Sequence, residues 1–229
     1  MAGSKPKIVL EGIAGAWFIG ATVLLSPLLR PWYSRWGTTG DEAERAFPGD
    51  EFVPHPGSQI TAAITVHAPV ESVWPWFVQL GCQRAGWYSY DLLDNGGRPS
   101  ADRIVPEYQH LAVGDVVKAL PNGAFGFPVA LVEPDRVLTL GGTTDTSTGK
   151  PVDPNDPDLK TYFSGDQTFY LVPLGERSTR LLFRMRIGWN PSRLNNLIYR
   201  GIVEPISFVM GRKMLLTIKQ RAEFLATTS

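Results

Sequence analysis

The chain has a single cysteine, three histidines and no net charge: 22 basic residues balance 22 acidic ones over 229 positions. One thiol, Cys82, excludes a disulfide framework and a thiolate metal site; no metal and no cofactor are expected. Neutrality, with no Lys/Arg cluster to offset it, removes the basic field of a nucleic-acid-binding protein. Three signatures are absent on inspection. "TDTSTGKP" lacks the first glycine of a phosphate loop, with Thr144 in its place, and Pro151 replaces the hydroxyl residue. "DPNDPD", Asp153 to Asp158, lacks the oxygen ligand and glycine a calcium loop requires. Neither Ser89 nor Ser164 has the flanking glycines of a nucleophile elbow.

What is present is apolar. Hydrophobic residues make up 43% and charged ones 19%, enough for a packed core in one fair-sized domain plus an appendage. Ile8 to Leu29 is an apolar run broken only by Glu11; as a helix it reaches about 33 Å, just the thickness of a bilayer core. Arg30 and Arg35 follow, interleaved with Trp32, Tyr33 and Trp36, as a membrane–water boundary favours. A membrane anchor over residues 1–36 is therefore expected, contacting lipid through 8–36. A cleaved signal peptide is the rival, but no small-x-small site follows; a helix packed on the domain is the other alternative. Lys5 and Lys7 balance Arg30 and Arg35, leaving orientation open with the cytoplasmic side as default. Removing residues 1–36 is expected to release a folded domain.

Residues 37–58, rich in glycine and proline, suit a linker. Ile60, Ala62, Ile64 and Val66 then alternate with Thr61, Ala63, Thr65 and His67 as in a half-buried strand, with His67 on the solvated side. "PVESVWPWFVQLG" predicts a helix kinked at Pro75 and stopped by Gly81. "GCQRAGWYSYDLLDNGG" predicts a second short helix carrying Trp87, Tyr90 and Asp91 on one face. After "SADRIVPEYQHLAVGD", short β runs follow: "VVKAL", "AFGFPVALV", "RVLTLGG", then "QTFYLVPLG" and "TRLLFRMRIGW" as a hairpin. In the last, Phe183, Met185 and Ile187 alternate with Arg184 and Arg186, which puts the arginines outward; in the reversed register Arg184 would be an interior anion anchor. Residues 194–226 read as a terminal helix, broken or kinked at Pro205, with Ile206, Met210, Met214, Ile218, Ala222 and Leu225 in one stripe. The fold class is α+β: a curved antiparallel sheet closed by a long C-terminal helix.

This order resembles the START-like, or SRPBCC, superfamily of helix-grip proteins, which includes polyketide cyclases, lipid-transfer domains and the major birch-pollen allergen. "ITVHAPVESVWPWFVQLG" is similar to the superfamily's opening strand and helix. "RAGWYSYDLLDN", "RIVPEYQHLAVGDVV" and "GRKMLLTIKQRAE" resemble a bacterial subgroup whose apolar N-terminal segment is followed by stretches like "RPWYSRWG" and "FPGDEFVP". The resemblance implies a domain over 59–229 with a cavity between sheet and terminal helix, but it carries no catalytic signature.

The expected function is binding of a small lipophilic molecule (lipid, isoprenoid, aromatic or polyketide-like) in that cavity, at a membrane. Trp76, Trp87, Tyr88, Tyr90, Asp91, Phe127, Tyr170, Met210 and Met214 are the candidate lining. A cyclase or dehydratase is the alternative, with Asp91, or Glu107 with His110, as general base. A protein-interaction module is the third: side chains such as Trp76, Phe127 and Tyr170 would then fill the cavity to well below about 300 Å³.

Overall fold

A computed structural model describes residues 5–156 and 158–228. Six antiparallel strands form one sheet in the order β1-β6-β5-β4-β3-β2. They are β1 Ser58–Val66, β2 Val116–Lys118, β3 Gly126–Glu133, β4 Val137–Asp145, β5 Tyr162–Pro173 and β6 Thr179–Trp189. The helices are α1 Lys5–Leu24, α2 Ser26–Tyr33, α3 Val70–Val78, α4 Asp91–Asp94, α5 Arg193–Ile198 and α6 Glu204–Thr228. This is the helix-grip arrangement the resemblance implies, with α6 against the sheet's concave face.

Two irregularities interrupt the ladder. A register shift falls between Val129 and Leu131, and bulges increase twist. Gly141, with φ of +134°, sits where a Cβ would meet the Gly165 carbonyl oxygen at 2.0 Å, so only glycine fits where β4 lies beside β5. Phe169, Leu171, Phe183 and Met185 face inward, against Val73 and Phe77 of α3 and Leu215 and Ile218 of α6. Burying each such side chain contributes about 1.5–3 kcal/mol.

Several segments depart from expectation. β5 begins at Tyr162, five residues before the alternation was legible, because Phe163 and Ser164 pair with Trp189 and Gly188. The terminal helix does not simply kink at Pro205. A π-helical turn, Tyr199–Val203, joins α5 to α6, loosening the backbone where the proline's missing N–H and its ring would strain an α-helix.

The expected linker is a strap packed on the convex face. Phe47 and Val53 are buried, and Phe47 contacts Ala63, Leu182 and Tyr170. Arg184 does point away from the concave face, yet it is only 1% exposed. Its guanidinium donates to Thr61 Oγ1, Asp50 Oδ2 and the Arg45 and Ala43 carbonyls, and lies 3.8 Å from the Phe47 ring centroid. A buried cation needs acceptors on several sides, and the strap supplies them. Residues 34–36 also cover the free edge of β1: Thr61 and Ala63 N–H donate to the Ser34 and Trp36 carbonyls at 2.8 and 3.0 Å.

The N-terminal helices also pack on the domain. α1 lies along α6 and α4. Glu204, fully buried at the start of α6, accepts hydrogen bonds from Arg30, Tyr33 and Ser58.

Candidate functional site

A cavity of about 190 Å³ lies between the concave sheet and α6. Trp87, Phe127, Phe183, Met185, Ile206, Met210 and Met214 give it apolar walls, while Ser89, Asp94, Gln167 and Ser207 add polar groups.

The loop after α3 sets its rim. Gly81 and Gly86 bridge as a tight turn, with Gln83 in the left-handed region at φ +63°. Tyr88, at φ +58°, reverses the chain so that Trp87 enters the cavity and Tyr88 does not. The structure therefore has no helix over Trp87 to Tyr90; α4 begins only at Asp91. Two left-handed residues and two positive-φ glycines cannot continue a helix.

Of the nine candidate lining residues, the cavity brings together Trp87, Phe127, Met210 and Met214. The rings of Trp87 and Phe127 meet edge-on, centroids 6.1 Å apart. The other five lie elsewhere. Trp76 and Tyr88 pack together at 5.7 Å, both beneath the Arg221 guanidinium. The Tyr88 hydroxyl accepts from Gln79, and burial pushes its pKa up to about 12. Tyr90 lies against Gly15 of α1, under Lys213. Tyr170 alternates with inward Phe169 and so reaches the convex face, against Phe47 and Arg136. Asp91 accepts from the Ser100 N–H and hydroxyl, closing the 91–100 loop.

Glu107 and His110 are exposed on an irregular connection outside the cavity lining. Buried Gln79 and half-buried Arg84 pin that connection: Gln79 bonds the Arg103 carbonyl and the Val105 N–H, and Arg84 bonds the Tyr108 carbonyl. Neither residue meets the cavity, so neither is a general base for a guest held there.

Sequence reasoning missed the polar lining, Ser89, Gln167, Ser207 and above all Asp94. Asp94 lines the cavity, and its Oδ1 is buried without a hydrogen-bond partner. Burial raises its pKa to about 7, the nearby Asp91 carboxylate adds to the rise, and hydrogen bonds from its own backbone and Ser89 oppose it. An acid poised near neutrality can hold or release a proton there. The signal was faint: "DLLD" carries two carboxylates one turn apart, and nothing local says which faces inward. Phe183 and Met185 followed from the β6 alternation.

Cys82 is buried beside this wall, its thiol directed at the Asp94 and Ala119 carbonyls, and burial pushes its pKa up. It is a packed thiol rather than a nucleophile. Among the described residues, no group of three His, Cys, Asp or Glu side chains is placed to hold a metal.

Neither a family model nor a curated protein matches the chain. Among solved structures, the chain is similar to a START superfamily protein from Mycobacterium smegmatis, with 15% identity and a TM-score of 0.39 over 74% of this chain and 99% of that one. A hypothetical protein from Helicobacter pylori is 11% identical with a TM-score of 0.46, over 81% and 98%. A norcoclaurine synthase point mutant from Thalictrum is 16% identical with a TM-score of 0.37, over 72% and 96%.

Proposed function

We propose that this START-like domain takes a small lipophilic molecule into the cavity between its sheet and α6, at a membrane surface. The observation that carries the reading is the lining: two phenylalanines, three methionines, an isoleucine and a tryptophan around about 190 Å³. A dry apolar cavity of roughly 150 Å³ holds benzene, so the space suits a guest of about one ring. One aromatic ring buries about 150–250 Å², worth about 4–6 kcal/mol at roughly 25 cal/mol per Å² before association costs. Acyl chains and polyketides exceed this volume, and their entry would require Met210 and Met214 to move; thioether side chains adapt readily.

The volume is below the roughly 300 Å³ of an ordinary ligand site, which is the observation on the side of an interaction module. Against that module, Trp76 and Tyr170 leave the space unfilled. For the enzyme reading, the specific support is Asp94: a cavity-lining carboxyl with a pKa near neutrality suits proton transfer of the cyclase or dehydratase kind, and it replaces Asp91, Glu107 and His110 as the candidate.

The test is native mass spectrometry of gently purified protein, with NMR titration of toluene and indole. A bound small molecule, or saturable binding of either probe, that disappears in Met210→Trp is the expected result. No added mass and no binding of any one-ring probe would sink the reading. For the catalytic version, Asp94→Asn should retain guest affinity and abolish turnover.

A further inference from the structure

The exposed stripe of α1 and α2 points to a bilayer contact made in the plane of the membrane. We propose that the N-terminal helix pair seats the domain on one leaflet while still docked to α6, without spanning. The proposal refines the membrane part of the reading above.

Two stripes run along α1. Ile8, Gly12, Gly15, Ile19 and Thr22 face the domain. Leu10, Ile13, Trp17, Leu24 and, on α2, Leu28 face away, with Trp17 78% and Leu24 82% exposed. At about 100° per residue the two stripes lie roughly 180° apart on the helix.

The inner stripe is cut for protein rather than lipid. A Cβ at Gly12 would meet Leu92 Cδ2 at 2.5 Å, and one at Gly15 would meet the Tyr90 ring at 2.6 Å. Glu11, the one charge in the apolar run, turns toward Lys213 of α6, 3.7 Å away. The outer stripe carries no charge and merges with a shallow apolar groove along Ala16, Trp17, Gly20, Ala21, Leu24 and Leu25.

Spanning conflicts with this packing in either of two ways. If α1 left the domain, Tyr90 and Leu92 would lose their cover and Glu11 its partner. If it spanned while docked, the polar cleft beside its first half would enter hydrocarbon, with Lys7, Glu11, Asp91, Lys213, Gln220 and Arg221. Charged side chains are expensive there. An in-plane helix avoids both, because the domain itself stands in for the polar face such helices carry. A lipid surface fits better than a second copy of the chain: exposed Trp17 and Trp32 supply interfacial indoles, and exposed Lys5 and Lys7 at the start of α1 complement anionic headgroups.

The experiment uses the full chain with vesicles of phosphatidylcholine and phosphatidylglycerol. Nitroxides at Leu10→Cys, Trp17→Cys and Leu24→Cys should report one common shallow depth; depths graded through the midplane would overturn the proposal. Cross-linking Glu11→Cys to Lys213→Cys with a short bis-maleimide should leave vesicle affinity within about twofold, whereas loss of binding would show that α1 must leave the domain. Trp17→Glu with Leu28→Glu should weaken vesicle binding at least tenfold with an unchanged Tm, since both positions are exposed. A lipid-free dimer that these substitutions dissolve, with no vesicle binding, would assign the stripe to a second copy. That outcome would also remove the membrane from the function, while cavity occupancy by native mass spectrometry would stand or fall separately.

Discussion

Asp91 and Asp94 lie one turn apart on α4 and meet opposite surroundings: Ser100 ties the first down, while Oδ1 of the second is buried without a partner at the cavity wall. The contrast gives a stability prediction. The Asp94 pKa rises from 3.8 to about 7 on folding, so the folded state binds the proton more tightly than the unfolded chain does. Its contribution is complete below about pH 4 and is lost as pH climbs through 7. Asp166, buried under the strap, is raised to about 7 by the same desolvation, against the pull of Arg186. Wild-type Tm should therefore fall between about pH 4 and 7; Asp94→Asn should flatten part of that slope and Asp94→Asn with Asp166→Asn more of it. Parallel curves for all three proteins would rule out both assignments.

Arg184 holds the strap to the sheet. Replacing it with methionine takes the donor from the Arg45 carbonyl and one partner from Asp50, which keeps Arg186 and the Phe47 N–H; a buried acceptor left unsatisfied costs about 1–3 kcal/mol. Chemical denaturation should show a loss of that order for Arg184→Met, and limited proteolysis should open sites within residues 37–58 first. Cleavage that stays wild-type in rate and position would mean the strap is held without Arg184, by Phe47, Val53 and the Arg180–Glu42 and Arg186–Asp50 pairs.

The close fit of α1 predicts a rescue. Gly12→Val places methyl groups where Leu92 stands and should make α1 susceptible to protease while the sheet stays folded. Adding Leu92→Ala should restore much of the protection, a coupling that a double-mutant cycle measures directly. Independent, additive effects would argue against the contact.

Truncation should separate the two N-terminal helices. Removing residues 1–24 uncovers Tyr90 and Leu92 but leaves the Arg30–Glu204–Tyr33 network intact, and a folded chain with a lowered Tm is expected. Removing 1–36 is different: Glu204 loses two donors in a fully buried setting, and β1 loses the cover on its edge. That shorter chain should aggregate or fail to fold, contrary to the sequence-based expectation. Equal stability for both truncations would show that the network contributes little.

Much of the scaffold was legible because it rests on local periodicity. The alternation in β1 and β6, the turns at Asn122-Gly123 and Glu133-Pro134-Asp135, and the stripe through Met210 and Met214 are each written within a dozen residues. The failures share a cause. Trp87 and Tyr90 look helical in spacing, but two left-handed residues, Gln83 and Tyr88, break the path, and non-glycine residues in that region give no sequence signal. Tyr170 looked like cavity lining by type alone; the parity of β5 turned it outward.

By itself, then, the sequence determined most of the order of the elements, the concave faces of β1 and β6 and the apolar character of α1, because backbone geometry converts spacing into faces. Only tertiary structure decided that the glycine- and proline-rich segment is a strap, that α1 lies on the domain, and that Asp94 rather than Asp91 meets the cavity. Each of those depends on which distant group fills the space beside a residue: Arg184 under the strap, Tyr90 and Leu92 under α1, Ser100 on Asp91. No spacing within a single segment carries that information.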